Sequence, residues 1–150
     1  MVQGSCLCGG VRFEIDERAI QVINNCHCAN CRKVSGAAFG TFVHVPRSAF
    51  RWLTGVELVA AYESSPGIER AFCKVCGSRM PQSPDWERHV IVPAGVLDED
   101  PGMKPEINIF TKSKAPWYTI ADGLPSIADI GTEEQWRTLI AERRAAAQRG

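Results

Sequence analysis

Polar and apolar residues alternate from Gly10 to Asp16: Val11, Phe13 and Ile15 fall on one side, Arg12, Glu14 and Asp16 on the other. Period-two alternation predicts a half-buried strand. Ile20 to Asn24 predicts a second short strand leading into a cysteine-rich group. Phe39 to Val45 predicts a third, ended by Pro46, with Phe39, Thr41, Val43 and Val45 on one face. Arg51 to Leu53 and Glu57 to Glu63 read as the arms of a hairpin around Thr54-Gly55. Ser64-Ser65-Pro66-Gly67 has turn chemistry, and Glu69 to Cys73 follows it as a strand. His89 to Val92 and Ile107 to Phe110 are further strands, separated by the turn-rich Asp98-Glu99-Asp100-Pro101-Gly102.

One stretch has the other period. Thr132-Glu133-Glu134-Gln135 fits a capping box, with Thr132 as N-cap and Gln135 three residues on. Trp136, Leu139 and Ile140 then form a narrow apolar stripe. Arg137, Arg143, Arg144 and Arg149 are expected on the solvated side and at the C-terminal end of a helix spanning about residues 132–148. Short strands at even intervals, many turns and one late helix predict a mainly β fold, a small β-sandwich with a C-terminal α-helix.

Composition narrows the function. The chain has 150 residues, the size of a single domain. Lys plus Arg and Asp plus Glu are both 17, so bulk charge does not hold it to nucleic acid or to a membrane surface. Hydrophobic residues at 45% exclude a disordered chain. The longest apolar or small run, Val90 to Leu97, contains Pro93 and Gly95 and is too short to cross a bilayer. Met1 to Ser5 has neither the basic start nor the apolar core of a signal peptide, so a cytoplasmic location is expected.

Seven cysteines change the picture further. They fall in three groups, Cys6-Leu7-Cys8, Cys26-His27-Cys28-Ala29-Asn30-Cys31 and Cys73-Lys74-Val75-Cys76-Gly77. The count is odd, and a reducing compartment disfavours disulfides. Metal binding is the reading that explains clustered thiols. Cys6 and Cys8, two apart in extended chain, face the same way. A tight turn brings Cys73 and Cys76 together, with Gly77 suited to the positive φ of a metal knuckle. These two pairs make a closed four-thiolate Zn²⁺ site, which is structural.

Cys26, Cys28 and Cys31 remain. Three thiolates leave a tetrahedral ion one ligand short, the pattern of a catalytic zinc. His27 is a fourth-ligand candidate, but in extended chain it points away from its neighbours, to the surface or behind the ligands. His44 and His89 stand alone and read as ordinary solvated or core histidines. One four-thiolate zinc beside a metal-free reactive CxCxxC group, a Cys28–Cys31 disulfide, and free buried thiols all stay open.

Gly4-Ser5-Cys6-Leu7-Cys8-Gly9-Gly10-Val11, Cys26 through Gly36, and Phe72-Cys73-Lys74-Val75-Cys76-Gly77-Ser78 resemble the glutathione-dependent formaldehyde-activating (GFA) family, whose domain also occurs in centromere protein V. Lys112-Ser113-Lys114-Ala115-Pro116-Trp117 and Asp122-Gly123-Leu124-Pro125 look like its C-terminal signature. The resemblance implies one twisted β-sandwich domain over residues 1–150 holding two zincs, with Cys6, Cys8, Cys73 and Cys76 structural and Cys26, Cys28 and Cys31 catalytic. It implies a carbon–sulfur lyase that forms or cleaves S-hydroxymethylglutathione, with glutathione and an aldehyde as partners. Arg32, Lys33, Lys112, Lys114 and Trp117 are the candidates to bind the two carboxylates and the body of glutathione. The family pattern often has His where this chain has Asn108. A non-catalytic zinc-stapled binding module and a thiol redox or aldehyde-scavenging protein are the competing readings.

Overall fold

The computed structural model describes residues 1–83 and 88–149, without the side chain of Arg149. In chain order its strands are β1 (Val2–Ser5), β2 (Arg12–Ile15), β3 (Val22–Cys26), β4 (Gly40–Pro46), β5 (Phe50–Thr54), β6 (Val59–Ser65), β7 (Ile68–Cys73), β8 (His89–Pro93) and β9 (Ile107–Ile109). The α-helices are α1 (Ala29–Ser35) and α2 (Glu133–Arg149). The chain is thus mainly β with a C-terminal helix, as the alternation and the capping box predict. Its packing divides into two compact units, and each is described separately.

The first unit comprises Met1–Val22 and Phe42–Met103. Here β1, β2 and β5 form an antiparallel sheet in that order, with Val2 opposite Ile15 and Phe13 opposite Trp52. The alternating face of β2 is buried as expected: Val11, Phe13 and Ile15 are all fully enclosed. Phe13 stacks on Phe50 with ring centroids 5.6 Å apart, and Trp52 meets both rings edge-on. β6 and β7 pair around the Pro66-Gly67 turn, with Val59 opposite Cys73. Within this unit, Phe42 to Pro46 of β4 pairs antiparallel with β8.

The hairpin expected around Thr54-Gly55 is a misreading. β5 pairs with β2, β6 pairs with β7, and a single 3₁₀ turn, Val56–Leu58, separates them. Gly55 is needed for another reason. Its φ is +74°, and a Cβ there would lie 2.0 Å from the Gly10 carbonyl oxygen. The glycine admits a close backbone crossing rather than a tight hairpin.

The second unit comprises Ile23–Thr41 and the segment from Lys104 onward. Its frame is the parallel pair β3 and β9, with Asn24 opposite Ile107, Asn25 opposite Asn108 and Cys26 opposite Ile109. Every residue of β3 is buried, including two asparagines. A buried polar group needs a partner, and the Asn25 side-chain oxygen accepts from the Thr41 hydroxyl at 2.8 Å. The strand runs two residues past the expected end, so it carries Cys26 itself.

Helix α2 begins as its capping box demands. The Thr132 N–H donates to the Gln135 side chain at 2.8 Å, and the Gln135 N–H donates to the Thr132 hydroxyl at 3.1 Å. Trp136 donates its indole N–H to the Ile130 carbonyl. Arg144 corrects the expectation of a wholly solvated basic face. It forms a two-pronged pair with the buried carboxylate of Glu106, at 2.7 and 2.8 Å, which ties the helix to the segment before β9.

Candidate metal centres and active site

The four-cysteine cluster lies wholly in the first unit. The Sγ atoms of Cys6, Cys8, Cys73 and Cys76 all lie within 4.8 Å of one another. Two tight turns deliver them. In the first, the Gly9 N–H donates to the Cys6 carbonyl at 2.8 Å; in the second, the Gly77 N–H donates to the Cys73 carbonyl at 2.8 Å, with Gly77 at φ +76°. The positive φ predicted for Gly77 is present. Ser78 fastens the turns together: its hydroxyl accepts from the Leu7 N–H and lies 3.4 Å from the Cys76 thiol.

Burial is uneven around this cluster. Cys6 and Cys73 are buried in a core with Val11, Ala71 and Met80, whereas Cys8 is exposed. The thiols also differ electrostatically. Hydrogen bonds from Ser78, side chain first and then backbone, bring Cys76 down to about 5. For Cys8 the Gly10 N–H pulls downward, but the neighbouring Cys6 and Cys76 thiols outweigh it and push the group up to about 11. Thiols packed this closely resist joint ionisation unless a cation sits among them.

The second cluster lies wholly in the second unit and joins the Sγ atoms of Cys26, Cys28 and Cys31 within the same 4.8 Å. Cys26 closes strand β3. Cys28 is the N-cap of α1, and its Sγ accepts from the Cys31 N–H at 3.3 Å. Cys31 sits one turn in and is buried. The helix ends at Gly36 in the left-handed conformation. The Cys26 thiol is pushed far up by Cys28, Cys31 and its burial. None of the seven cysteines is joined in a disulfide. Each cluster therefore has the donor set and spacing that suit a zinc ion.

The sulfur cluster includes no nitrogen of His27. The ring is buried, not on the surface: it is 1% exposed, and its Nε2 lies 2.8 Å from the Asn108 side-chain oxygen. Its Nδ1 is buried without a hydrogen-bond partner. Phe39 and Tyr118 pack against it at centroid distances of 5.0 and 6.1 Å. Asn108, fully buried, donates to both carboxylate oxygens of Asp122 at 3.1 Å. Sequence reasoning missed this connection, because the spacing between positions 27 and 108 carries no local signal. His44 and His89 belong to neither cysteine cluster; burial and the nearby His89 bring His44 down to about 4.

The candidate glutathione contacts all lie in the second unit. Arg32 follows Cys31 on α1, and its Nε is buried without a hydrogen-bond partner. Lys33 is exposed. Lys112 faces Asp129 at 3.6 Å across solvent, a pairing worth little. The half-buried Lys114 donates to the Tyr118 carbonyl at 2.9 Å. Trp117 is 72% exposed, an uncommon position for a large aromatic.

Comparison with known proteins gives a consistent set of relatives. The family profile described as "Glutathione-dependent formaldehyde-activating enzyme" matches residues 1–113. A Halomonas elongata protein named "Putative glutathione-dependent formaldehyde-activating enzyme" is 31% identical over 129 residues, covering 80% of this chain and 81% of that one. A crystal structure of a Rhodobacter sphaeroides protein aligns with a TM-score of 0.54 at 22% identity, over 69% of this chain and 91% of that one. At that identity the likeness speaks for the fold alone. Among the described residues, no helix is long and apolar enough to cross a membrane.

Proposed function

Because this chain belongs to the glutathione-dependent formaldehyde-activating family, we propose that it is a zinc-dependent carbon–sulfur lyase that forms or cleaves an S-hydroxymethylglutathione-like adduct. In the forward direction the thiol sulfur bonds to the aldehyde carbon, and the proton leaving sulfur ends on the aldehyde oxygen. The reverse step breaks that carbon–sulfur bond. The observation that carries the reading is the second cluster, which supplies three thiols where the first supplies four. A closed set of four serves structure, while three protein ligands leave a position for substrate.

Cys6, Cys8, Cys73 and Cys76 would hold one zinc; Cys26, Cys28 and Cys31 would hold the other. The second ion would favour the thiolate of an incoming thiol, which is about 3% of a free thiol of pKa near 8.5 at pH 7. The resulting gain is about 30-fold, or at most about 2 kcal/mol, and the lower nucleophilicity of a more acidic thiol erodes it. The rest must come from the protein holding both reactants in place. Arg32, Lys33, Lys112 and Lys114 supply cations for the two glutathione carboxylates, and Trp117 an exposed apolar face. The proposed location is the cytoplasm, where glutathione is abundant and thiols stay reduced.

Calorimetric titration of the zinc-loaded protein with glutathione tests this. Heat is expected from the wild type and not from Cys28→Ser. Silence from both would remove glutathione as the substrate.

Acid should separate the two metals. Ligand thiols must lose their protons to bind, so metal binding releases protons and affinity falls as pH falls. The three-cysteine site has fewer donors, and its Cys26 holds its proton most strongly. The four-cysteine site includes Cys76, which stays ionised down to about pH 5. Lowering the pH from about 8 to 5 is therefore expected to release one zinc well before the other, followed with a chromogenic indicator. Loss of the remaining zinc from Cys28→Ser at the pH where the wild type loses its first ion would contradict this order.

A further inference from the structure

Asp122, Asn108 and His27 form a chain of hydrogen bonds whose direction is fixed from one end. A carboxylate only accepts. Asp122 takes the Leu124 N–H on Oδ1 and meets the Asn108 side chain through both oxygens. The atom Asn108 presents to it must be the amide nitrogen, so its oxygen faces His27. That oxygen accepts from Nε2, and Nε2 must carry a hydrogen. In the neutral ring the lone pair then sits on the buried Nδ1. The Asn108 backbone is held on both sides: its N–H donates to the Pro125 carbonyl, and its carbonyl accepts from the Ile127 N–H, both at 2.8 Å.

We propose that His27, oriented by Asn108 and Asp122, is a positioning residue of the three-cysteine centre. Its place in the chain explains how. His27 lies between Cys26, the last residue of β3, and Cys28, whose φ of −64° and ψ of 155° are extended; along extended chain neighbouring side chains point to opposite sides. Its N–H donates to the Ile109 carbonyl at 3.0 Å, and its ring is held by Phe39, Tyr118 and Asn108. A ring fixed on one side sets the side on which both flanking thiols emerge. The relay spans residues 27, 108 and 122, so it braces the thiols through groups that never touch the metal. This rests on Cys26, Cys28 and Cys31 being metal ligands, not on which substrate they serve.

The test uses the zinc-loaded full chain and long-range ¹⁵N–¹H spectra of its histidine rings. Wild-type His27 is expected as a single Nε2-protonated form. In Asp122→Asn the side chain still accepts from the Leu124 N–H but no longer dictates which way Asn108 faces. Mixed ring forms are expected, with about a 10-fold loss of affinity for the weaker zinc, the usual size of an outer-shell effect. The tighter zinc should be unaffected. His27→Phe, which keeps the aromatic packing, should show the same loss and serves if Asp122→Asn does not fold. An Nδ1-protonated wild-type ring overturns the proposal. So does a change in ring form without a change in affinity, or an affinity loss with the ring form unchanged. None of these readouts involves glutathione, so they stand or fall apart from the calorimetric test.

Discussion

Replacing Cys28 with serine is expected to lower bound zinc from two ions per chain to one and to reduce adduct formation to the uncatalysed rate. The substitution is informative because Cys28 has two jobs. Its sulfur is one of three converging donors, and it also caps α1 by accepting from the Cys31 N–H. Serine is a favoured N-cap. Its hydroxyl keeps the helix start while removing the thiolate, so folding and metal binding separate. Outer-shell changes alone cost about 10–100-fold in metal affinity, and loss of a ligand should exceed that range. Metal analysis and the rate of S-hydroxymethylglutathione formation measure the two effects. A variant that keeps two zincs and full rate would show that Cys28 is not a ligand.

Cys73→Ser should do the opposite, removing the fold rather than the chemistry. Cys73 is fully buried in the core that contains Cys6, Val11, Ala71 and Met80. Structural zinc sites contribute an apparent 10–16 kcal/mol of binding energy at neutral pH. Whole domains are stable by only about 5–15 kcal/mol. Opening the clamp therefore threatens most of the stability of the first unit. Loss of β signal in circular dichroism, or a collapse of the urea midpoint to that of chelator-treated wild type, is the expected result. An unchanged midpoint would mean that the four-cysteine cluster does not hold the fold together.

The grouping of sulfurs within each short motif was legible because that spacing is local: residues two or three apart meet wherever the rest of the chain goes. The capping box was legible for the same reason, and both of its hydrogen bonds form. What escaped the sequence was non-local. The choice of β2 as partner for β5 depends on Gly55 passing close to Gly10, which no turn rule contains. Helix α1 escaped because it is short, lacks an apolar stripe and is capped by a cysteine rather than a conventional Ser, Thr, Asp or Asn. His27 could be seen to point away from its neighbours, but its contact with Asn108 crosses 81 positions. Arg144 reads as a solvated helix charge until the structure sets it against Glu106.

The parallel pairing of β3 with β9 also has a consequence for biosynthesis. Cys26, Cys28 and Cys31 leave the ribosome about 80 residues before the partner strand does, a delay of roughly 4–16 s at ordinary translation rates. Throughout that interval the nascent hexapeptide is a naked trio of thiols, open to oxidants and to whichever soft metal arrives first. Yield of correctly metallated protein should accordingly follow the redox state and zinc supply of the expressing cell, and supplying zinc during synthesis should help more than adding it after purification.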